Sequence, residues 1–85
     1  VSYMMTIIKT KYSIGDEVYV IDFSRGVVAK GYVSRKLIQV ISDEETYVFL
    51  DIEDVNSRPI VQQVNENFVF KSKQELKEWV EQIVK

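Results

Sequence analysis

The chain has 85 residues, of which 46% are hydrophobic, 28% are charged and none is cysteine or histidine. A chain of this length has room for one hydrophobic core, and the lack of cysteine and histidine excludes a disulfide framework, a thiolate metal site and the commonest general base. The formal net charge of −2 argues against non-specific nucleic-acid binding, which usually requires a basic surface.

The first predicted element is a strand that follows the turn signal Gly15-Asp16. Residues 17–23 are rich in β-branched and aromatic side chains, and both faces of the run are partly apolar, which leaves open which face is buried. Ser24-Arg25-Gly26 then predicts a hairpin turn that closes on a glycine with positive φ. The next run, residues 27–41, is much longer than a usual strand of about 5–6 residues. We therefore expect it to bend, and Gly31 is the expected position.

The third strand is predicted by strict alternation. Residues 42–45 form a polar turn, and residues 46–53 then alternate between the aliphatic side chains of Val48, Leu50 and Ile52 and a second set that includes Tyr47 and Phe49. After the break at residues 56–59, two short runs, 60–64 and 68–70, predict further strands. The expected total is about five strands between residues 17 and 70.

The last segment changes from a strand period to a helical one. Ser72 and Glu75 have the spacing of a capping box, which predicts a helix over residues 73–84. One face of that helix is apolar, through Leu76, Trp79, Val80, Ile83 and Val84. Because a short isolated helix is marginal in water, this face must dock on the sheet. We expect the indole of Trp79 to pack against the sheet and to contribute to stability rather than to ligand binding.

Two short motifs carry a resemblance to known proteins. The segments Ile14-Gly15-Asp16-Glu17-Val18-Tyr19 and Lys30-Gly31-Tyr32-Val33 resemble small SH3-like barrels of the KOW and Tudor type. The helix start Phe70-Lys71-Ser72-Lys73-Gln74-Glu75 is similar to that of short uncharacterised proteins of Gram-positive bacteria and their phages. The expected fold is therefore mainly β with one C-terminal α-helix, as a strongly bent antiparallel sheet or an SH3-like barrel. That class includes nucleic-acid and peptide binders, so the fold does not select a function.

The first candidate surface is the outer face of the third strand. If Val48, Leu50 and Ile52 point to the core, the aromatic rings of Tyr47 and Phe49 point outward, beside the carboxylates of Asp51 and Glu53. Exposed aromatic rings are common at protein interfaces, which predicts a protein partner with a basic surface. The alternative is that the C-terminal helix covers both rings as a second small core. Asp51 and Glu53 would also suit cation binding or acid–base catalysis. We favour the interpretation that they are solvated charges that protect a strand edge from pairing with other chains.

The second candidate surface is basic. Between residues 25 and 36 every charged side chain is positive, and Tyr32 lies among them as a stacking group; the candidate residues are Arg25, Lys30, Tyr32, Arg35 and Lys36. This pattern predicts a weak KOW-like nucleic-acid interface, whose alternative is ordinary strand-edge charge.

The preferred hypothesis is a non-catalytic protein-interaction module without a cofactor or metal, and self-association stays open beside it. The resemblance adds a narrower hypothesis, a phage or mobile-element adaptor or an inhibitor of a host factor. No stretch reaches the roughly 18 apolar residues of a membrane span. We therefore expect a cytoplasmic single domain over residues 1–85 that does not contact a membrane, with its natural start at Met4 or Met5.

Overall fold

The computed structural model describes residues 10–83, in which four strands precede a helix. The elements in chain order are β1 (Glu17–Asp22), β2 (Val27–Val40), β3 (Thr46–Glu53), β4 (Pro59–Asn65), a 3-10 helix (Glu66–Phe68) and α1 (Lys73–Ile83). The strands form one antiparallel sheet in the order β1-β2-β3-β4, so each strand pairs with its neighbour in sequence. The mainly β fold with one C-terminal helix is therefore confirmed, whereas Met4 and Met5 lie outside the described residues.

The sheet is open, and the fifth strand expected over residues 68–70 does not form. The side chain of Asn65 accepts a hydrogen bond from the Asn67 amide at 2.9 Å and starts the 3-10 helix instead. Asparagine favours such turns because its side chain bonds to the backbone two residues on. Within residues 68–70, only Phe70 pairs with β1, through two backbone hydrogen bonds to Tyr19 of 2.7 and 3.0 Å. A one-residue bridge replaces the fifth strand, and a closed barrel is not confirmed.

The predicted hairpin between β1 and β2 is confirmed. Its loop covers residues 23–26, one residue more than expected, and Gly26 has the predicted positive φ, at 67°. The Gly26 amide donates to the Asp22 carbonyl at 2.8 Å. The buried carboxylate of Asp22 accepts from both the hydroxyl and the amide of Ser24, at 2.6 and 3.1 Å.

The irregularity in β2 lies at Ser34, so the prediction that placed it at Gly31 is wrong. Pairing with β3 passes from Val33 opposite Ile52 to Arg35 opposite Asp51, which leaves Ser34 as the extra residue of a β-bulge. The bulge bends the strand and shifts the alternation of inward-facing and outward-facing side chains by one residue. As a result the core-facing side chains are odd-numbered before Ser34 and even-numbered after it.

One face of the curved sheet, here called the inner face, carries the core. Its buried side chains come from the segments that flank the sheet and from β1, β2 and β3, and they are Tyr12, Val18, Val20, Val33, Val48, Leu50, Ile52 and Val69. The aliphatic face predicted for β3 is therefore confirmed. The Tyr12 hydroxyl donates to the Val69 carbonyl at 2.6 Å and joins the segment before β1 to the segment after β4. Burial, followed by the charge of Glu75, raises the pKa of the Tyr12 phenol above its ordinary value.

The C-terminal helix begins where the capping signal predicts, and Val84 lies outside the described residues. The Ser72 hydroxyl accepts from the Glu75 amide at 3.1 Å, and the Glu75 carboxylate accepts from the Lys71 amide at 3.2 Å. Leu76 is buried and Trp79 is half-buried, because α1 packs chiefly against β1. None of the helices within residues 10–83 has the length and apolarity to cross a membrane.

Candidate protein-interaction groove

The predicted site on β3 lies on the outer face of the sheet, opposite the core. Tyr47 is 40% exposed, and Phe49 is half-buried. Because α1 packs chiefly against β1, two strands from β3, the alternative in which the helix covers both rings is not supported. On this face β3 offers one accessible aromatic ring, and the depression beside Asp51 is polar, lined by Arg35, Asp51, Gln62 and Gln63.

Asp51 has a structural task that the sequence analysis did not find. Pairing between β3 and β4 passes from Leu50 opposite Val64 to Ile52 opposite Val61, which leaves Gln62 and Gln63 as a β-bulge. The Asp51 carboxylate accepts the Gln63 amide at 2.8 Å, and Gln63 has a positive φ of 52°, which is uncommon outside glycine. Asp51 thus stabilises the bulge of β4.

The charges around Asp51 and Glu53 also have partners on the same sheet. Arg35 lies opposite Asp51, with 3.8 Å between its Nε and a carboxylate oxygen. Glu53 lies opposite Tyr32 in the register of β2 and β3. Arg35 therefore balances part of the acidic character predicted for this face at Asp51, whereas the residue opposite Glu53 is uncharged.

The basic residues are not brought together. Arg25 lies in the β1–β2 loop, while Lys30, Tyr32 and Arg35 lie on the outer face of β2. Lys36 lies on the inner face, because the bulge at Ser34 precedes it, and its ammonium group donates to the Thr10 hydroxyl and the Tyr12 carbonyl at 2.9 and 3.0 Å.

Carboxylates also interrupt the basic residues on the outer face. Tyr32 pairs with Glu17 of β1 on one side and with Glu53 of β3 on the other. Directly opposite residues of an antiparallel pair have Cβ atoms about 4.5–5.5 Å apart, so both carboxylates flank the ring. A phosphate chain over this face would meet negative charge beside the proposed stacking group. The geometry therefore gives the nucleic-acid hypothesis little support.

An apolar groove, here called the seam groove, lies between β1 and β4, the two edge strands of the open sheet. It has a volume of about 240 Å³. It is lined by Val20, Ile21, Phe23, Val61, Gln62, Val64, Phe68 and Trp79, of which only Gln62 is polar. Phe23 is 83% exposed, an unusual state for so large an apolar side chain.

Aromatic contacts hold one wall of the seam groove. Trp79 contacts Phe68 edge to face, with ring centroids 5.6 Å apart and an interplanar angle of 74°. It also contacts Phe70, at 5.5 Å and 45°. Both separations are in the range of favourable aromatic pairs. These contacts therefore position the Phe68 and Trp79 rings without a ligand, whereas the side chain of Phe23 is largely exposed.

The seam groove runs beside an open backbone edge of β1. The amide and carbonyl of Tyr19 point to this edge and bond to Phe70. Because these groups alternate along a strand, those of Ile21 point to the same edge. Within the described residues, the amide and carbonyl of Ile21 have no backbone partner at this edge. The chain after β4 forms the 3-10 helix here and does not continue as a strand beside β1.

Sequence reasoning missed the seam groove because its walls come from three separate segments. Phe23 was assigned to a strand, Phe68 to a strand that does not form, and Trp79 to the packed face of the helix. A large aromatic residue at the start of a tight loop was the one local signal, since turns favour small and polar residues.

No family model matches the chain, and no curated protein or solved structure is significantly similar to it. The resemblance to SH3-like barrels stays a prediction, and the functional argument depends on the geometry of this chain.

Proposed function

We propose that the protein is a non-catalytic interaction module that binds an extended segment of a partner protein in the seam groove. The observation that carries this proposal is an apolar groove, walled by Phe23, Phe68 and Trp79, beside the open backbone edge at Ile21. Aromatic side chains are enriched at interfaces and among the residues that dominate binding energy.

The size of the seam groove favours a peptide over a small molecule. Sites for drug-sized ligands and cofactors usually have volumes of about 300–1,000 Å³, and this groove, at about 240 Å³, is smaller. It suits one large apolar side chain. The remaining affinity would come from backbone hydrogen bonds to Ile21, which extend the sheet by one strand, as in other proteins that bind peptides at a sheet edge.

The outer face of β3 is the second candidate surface for the same function. The exposure of Tyr47 favours it, but Asp51 already stabilises the bulge of β4, and the depression beside Asp51 is lined by polar side chains that do not suit an apolar anchor. The phage or mobile-element role, as an adaptor or host-factor inhibitor, stays a prediction from the resemblance.

Selection from a random peptide library tests the proposal. The library lacks tryptophan, so that Trp79 stays the only source of indole emission. We expect the folded chain to select extended peptides with a large apolar residue. Phe23→Ala should weaken their binding by about tenfold or more, because a hot-spot side chain contributes more than 1 kcal/mol. Phe23 is largely exposed, so this variant should fold normally, which circular dichroism checks.

Tyr47→Ala is the matched control, since it removes an accessible ring from the rival surface. It should leave peptide affinity unchanged. If Tyr47→Ala abolishes binding and Phe23→Ala does not, the outer face of β3 is the site. If no peptide is enriched, the interaction hypothesis loses its support.

The nucleic-acid hypothesis has a separate test. Titration with single- and double-stranded oligonucleotides at low salt should show no binding. Tight binding that weakens steeply with added salt, and that Lys30→Ala reduces, would favour the basic residues over the seam groove.

A further inference from the structure

Within residues 10–83, the second half of β2 has a partner strand on one side only. β1 pairs with β2 from Val27 to Tyr32, and Val33 still bonds to Gly15 and Asp16 at 2.8 and 3.0 Å. Beyond the bulge, β3 pairs with residues 35–40, and no described residue pairs with the backbone on their other edge.

The direction of the backbone groups at this edge follows from the side chains. Val33 shows that inward-facing residues of β2 direct their amide and carbonyl groups toward the β1 side. After the bulge the inward-facing residues are Lys36, Ile38 and Val40, since Lys36 lies opposite Leu50 and Ile38 opposite Val48. These three residues therefore direct their backbone groups to the open edge.

The side chains at this edge are apolar and exposed. Residues 37–42 include no charged residue, and Leu37, Ile38, Val40 and Ile41 are between 41% and 58% exposed. Proteins usually protect an open edge with charges, proline or a bulge, because an unprotected apolar edge pairs with other chains. This edge has none of these devices between Leu37 and Ser42.

The charges at the two ends of the segment identify what fits it. Arg35 and Lys36 precede the apolar residues, and Asp43, Glu44 and Glu45 follow them. When the segment is laid antiparallel on a second copy of itself, the basic end of each copy meets the acidic end of the other. A symmetric dimer requires this kind of self-complementary surface.

We infer that two copies of the chain pair antiparallel through this edge of β2, with a two-fold axis at Gln39. In such a dimer, each hydrogen-bonded pair must join two residues whose backbone groups point to the open edge. The axis at Gln39 meets this condition, because it pairs Ile38 with Val40. It also places Leu37 opposite Ile41, and it brings Arg35 toward Asp43, which lies in the turn after β2 ends at Val40. An axis at Val40 would instead bring Leu37 toward Asp43, which leaves an apolar side chain near a charge.

The interface is of modest size. Covering the exposed parts of these four apolar side chains and the backbone edge on both copies buries on the order of 1,000 Å², the lower limit for a specific interface. The dimer should therefore dissociate on dilution. The proposal is independent of the seam groove, since Phe23 and Gln39 lie near opposite ends of β2.

Analytical ultracentrifugation over a concentration series tests the dimer. The parent should show a reversible monomer–dimer equilibrium, and Val40→Lys should raise its dissociation constant by about tenfold or more, because a charged edge opposes pairing. Val55→Lys is the control: Val55 is 76% exposed in a loop, and this variant should dimerise like the parent.

Disulfide formation tests the register. The chain has no cysteine, and Gln39→Cys places one at the two-fold axis, in a non-hydrogen-bonded pair whose Cα atoms lie about 4.5 Å apart, within disulfide range. Mild oxidation should cross-link this variant rapidly and leave Gln82→Cys, on the exposed side of α1, mostly monomeric.

Three results would overturn the inference. The first is a parent that stays monomeric at all concentrations, whether or not a chain lacking residues 1–9 dimerises. The second is a dimer that Val40→Lys does not weaken. The third is a dimer that Val40→Lys dissociates but in which Gln39→Cys cross-links no faster than Gln82→Cys, which excludes the axis at Gln39.

Discussion

Gly31 lies where three strands are in closest contact. A Cβ atom at this position would lie 2.6 Å from Ile52 Cγ2, 2.7 Å from the Glu53 carbonyl oxygen and 2.8 Å from Ile60 Cδ1. The carbonyl oxygen belongs to the backbone and cannot move aside as a side chain can. Gly31 is therefore required by packing, although the bend for which the sequence suggested it occurs at Ser34.

Gly31→Ala should destabilise the protein by about 2–3 kcal/mol, because an added methyl group in a packed core forces the backbone to shift. Urea unfolding measures the change. Gly26→Ala is the control: its Cβ would meet nothing within 4 Å, and its cost of about 1 kcal/mol comes from the positive φ alone. Equal losses in the two variants would contradict the packing role of Gly31.

Asp22 gives the protein a predicted dependence on pH. The Ser24 hydroxyl is the largest cause that lowers the pKa of the Asp22 carboxyl, followed among the lowering causes by the backbone amides of Arg25 and Ser24. A carboxyl whose pKa is lower in the folded state contributes stability above its ordinary pKa of about 3.9, and this contribution is lost as the pH falls through the folded-state pKa.

Ser24→Ala should therefore lower the urea midpoint at pH 7, and its deficit relative to the parent should shrink as the pH falls below about 4. Unfolding curves at pH 7, 5 and 3 measure this. A deficit that stays the same at all three values would show that Ser24 acts through the turn conformation and not through the Asp22 carboxylate.

At the scale of elements, α1 is the clearest case of a local signal that predicts structure. The Ser72 hydroxyl accepts the predicted capping hydrogen bond from the Glu75 amide, whereas the Glu75 carboxylate accepts from the Lys71 amide and not from that of Ser72. A capping signal can be recognised in the sequence because its hydrogen-bond partners lie within four residues of each other.

Ser72→Ala should destabilise the protein by about 1 kcal/mol, the usual cost of losing an N-cap side chain. Thermal unfolding followed by circular dichroism measures the change. Ser72→Asp keeps an acceptor at the cap and should recover most of the loss. If Ser72→Ala melts like the parent, packing against β1 alone determines where the helix begins.

The bulges and the 3-10 helix show where local patterns fail. The alternation of β3 predicted its buried side chains correctly, because those residues face one continuous core. Ser34 and Gln63 have no comparable signal, since a bulge depends on the partner strand. The 3-10 helix that Asn65 caps extends to Phe68 and replaces the start of the strand predicted over residues 68–70.

At the scale of the whole molecule, fold class was predictable from the sequence and the candidate site was not. Four strands and one helix follow from periodicity and turn residues. The seam groove forms only because β1 and β4 are the two edges of an open sheet and α1 carries Trp79 to the gap between them. No local pattern encodes that arrangement.

The emission of Trp79 tests the central claim most directly, because the chain has one tryptophan and it lines the seam groove. On saturation with a selected tryptophan-free peptide, we predict that the emission maximum shifts to shorter wavelength and that quenching by acrylamide decreases, with both changes weakened in Phe23→Ala. Peptide binding measured by calorimetry that leaves the emission and quenching of Trp79 unchanged would contradict the seam groove as the binding site.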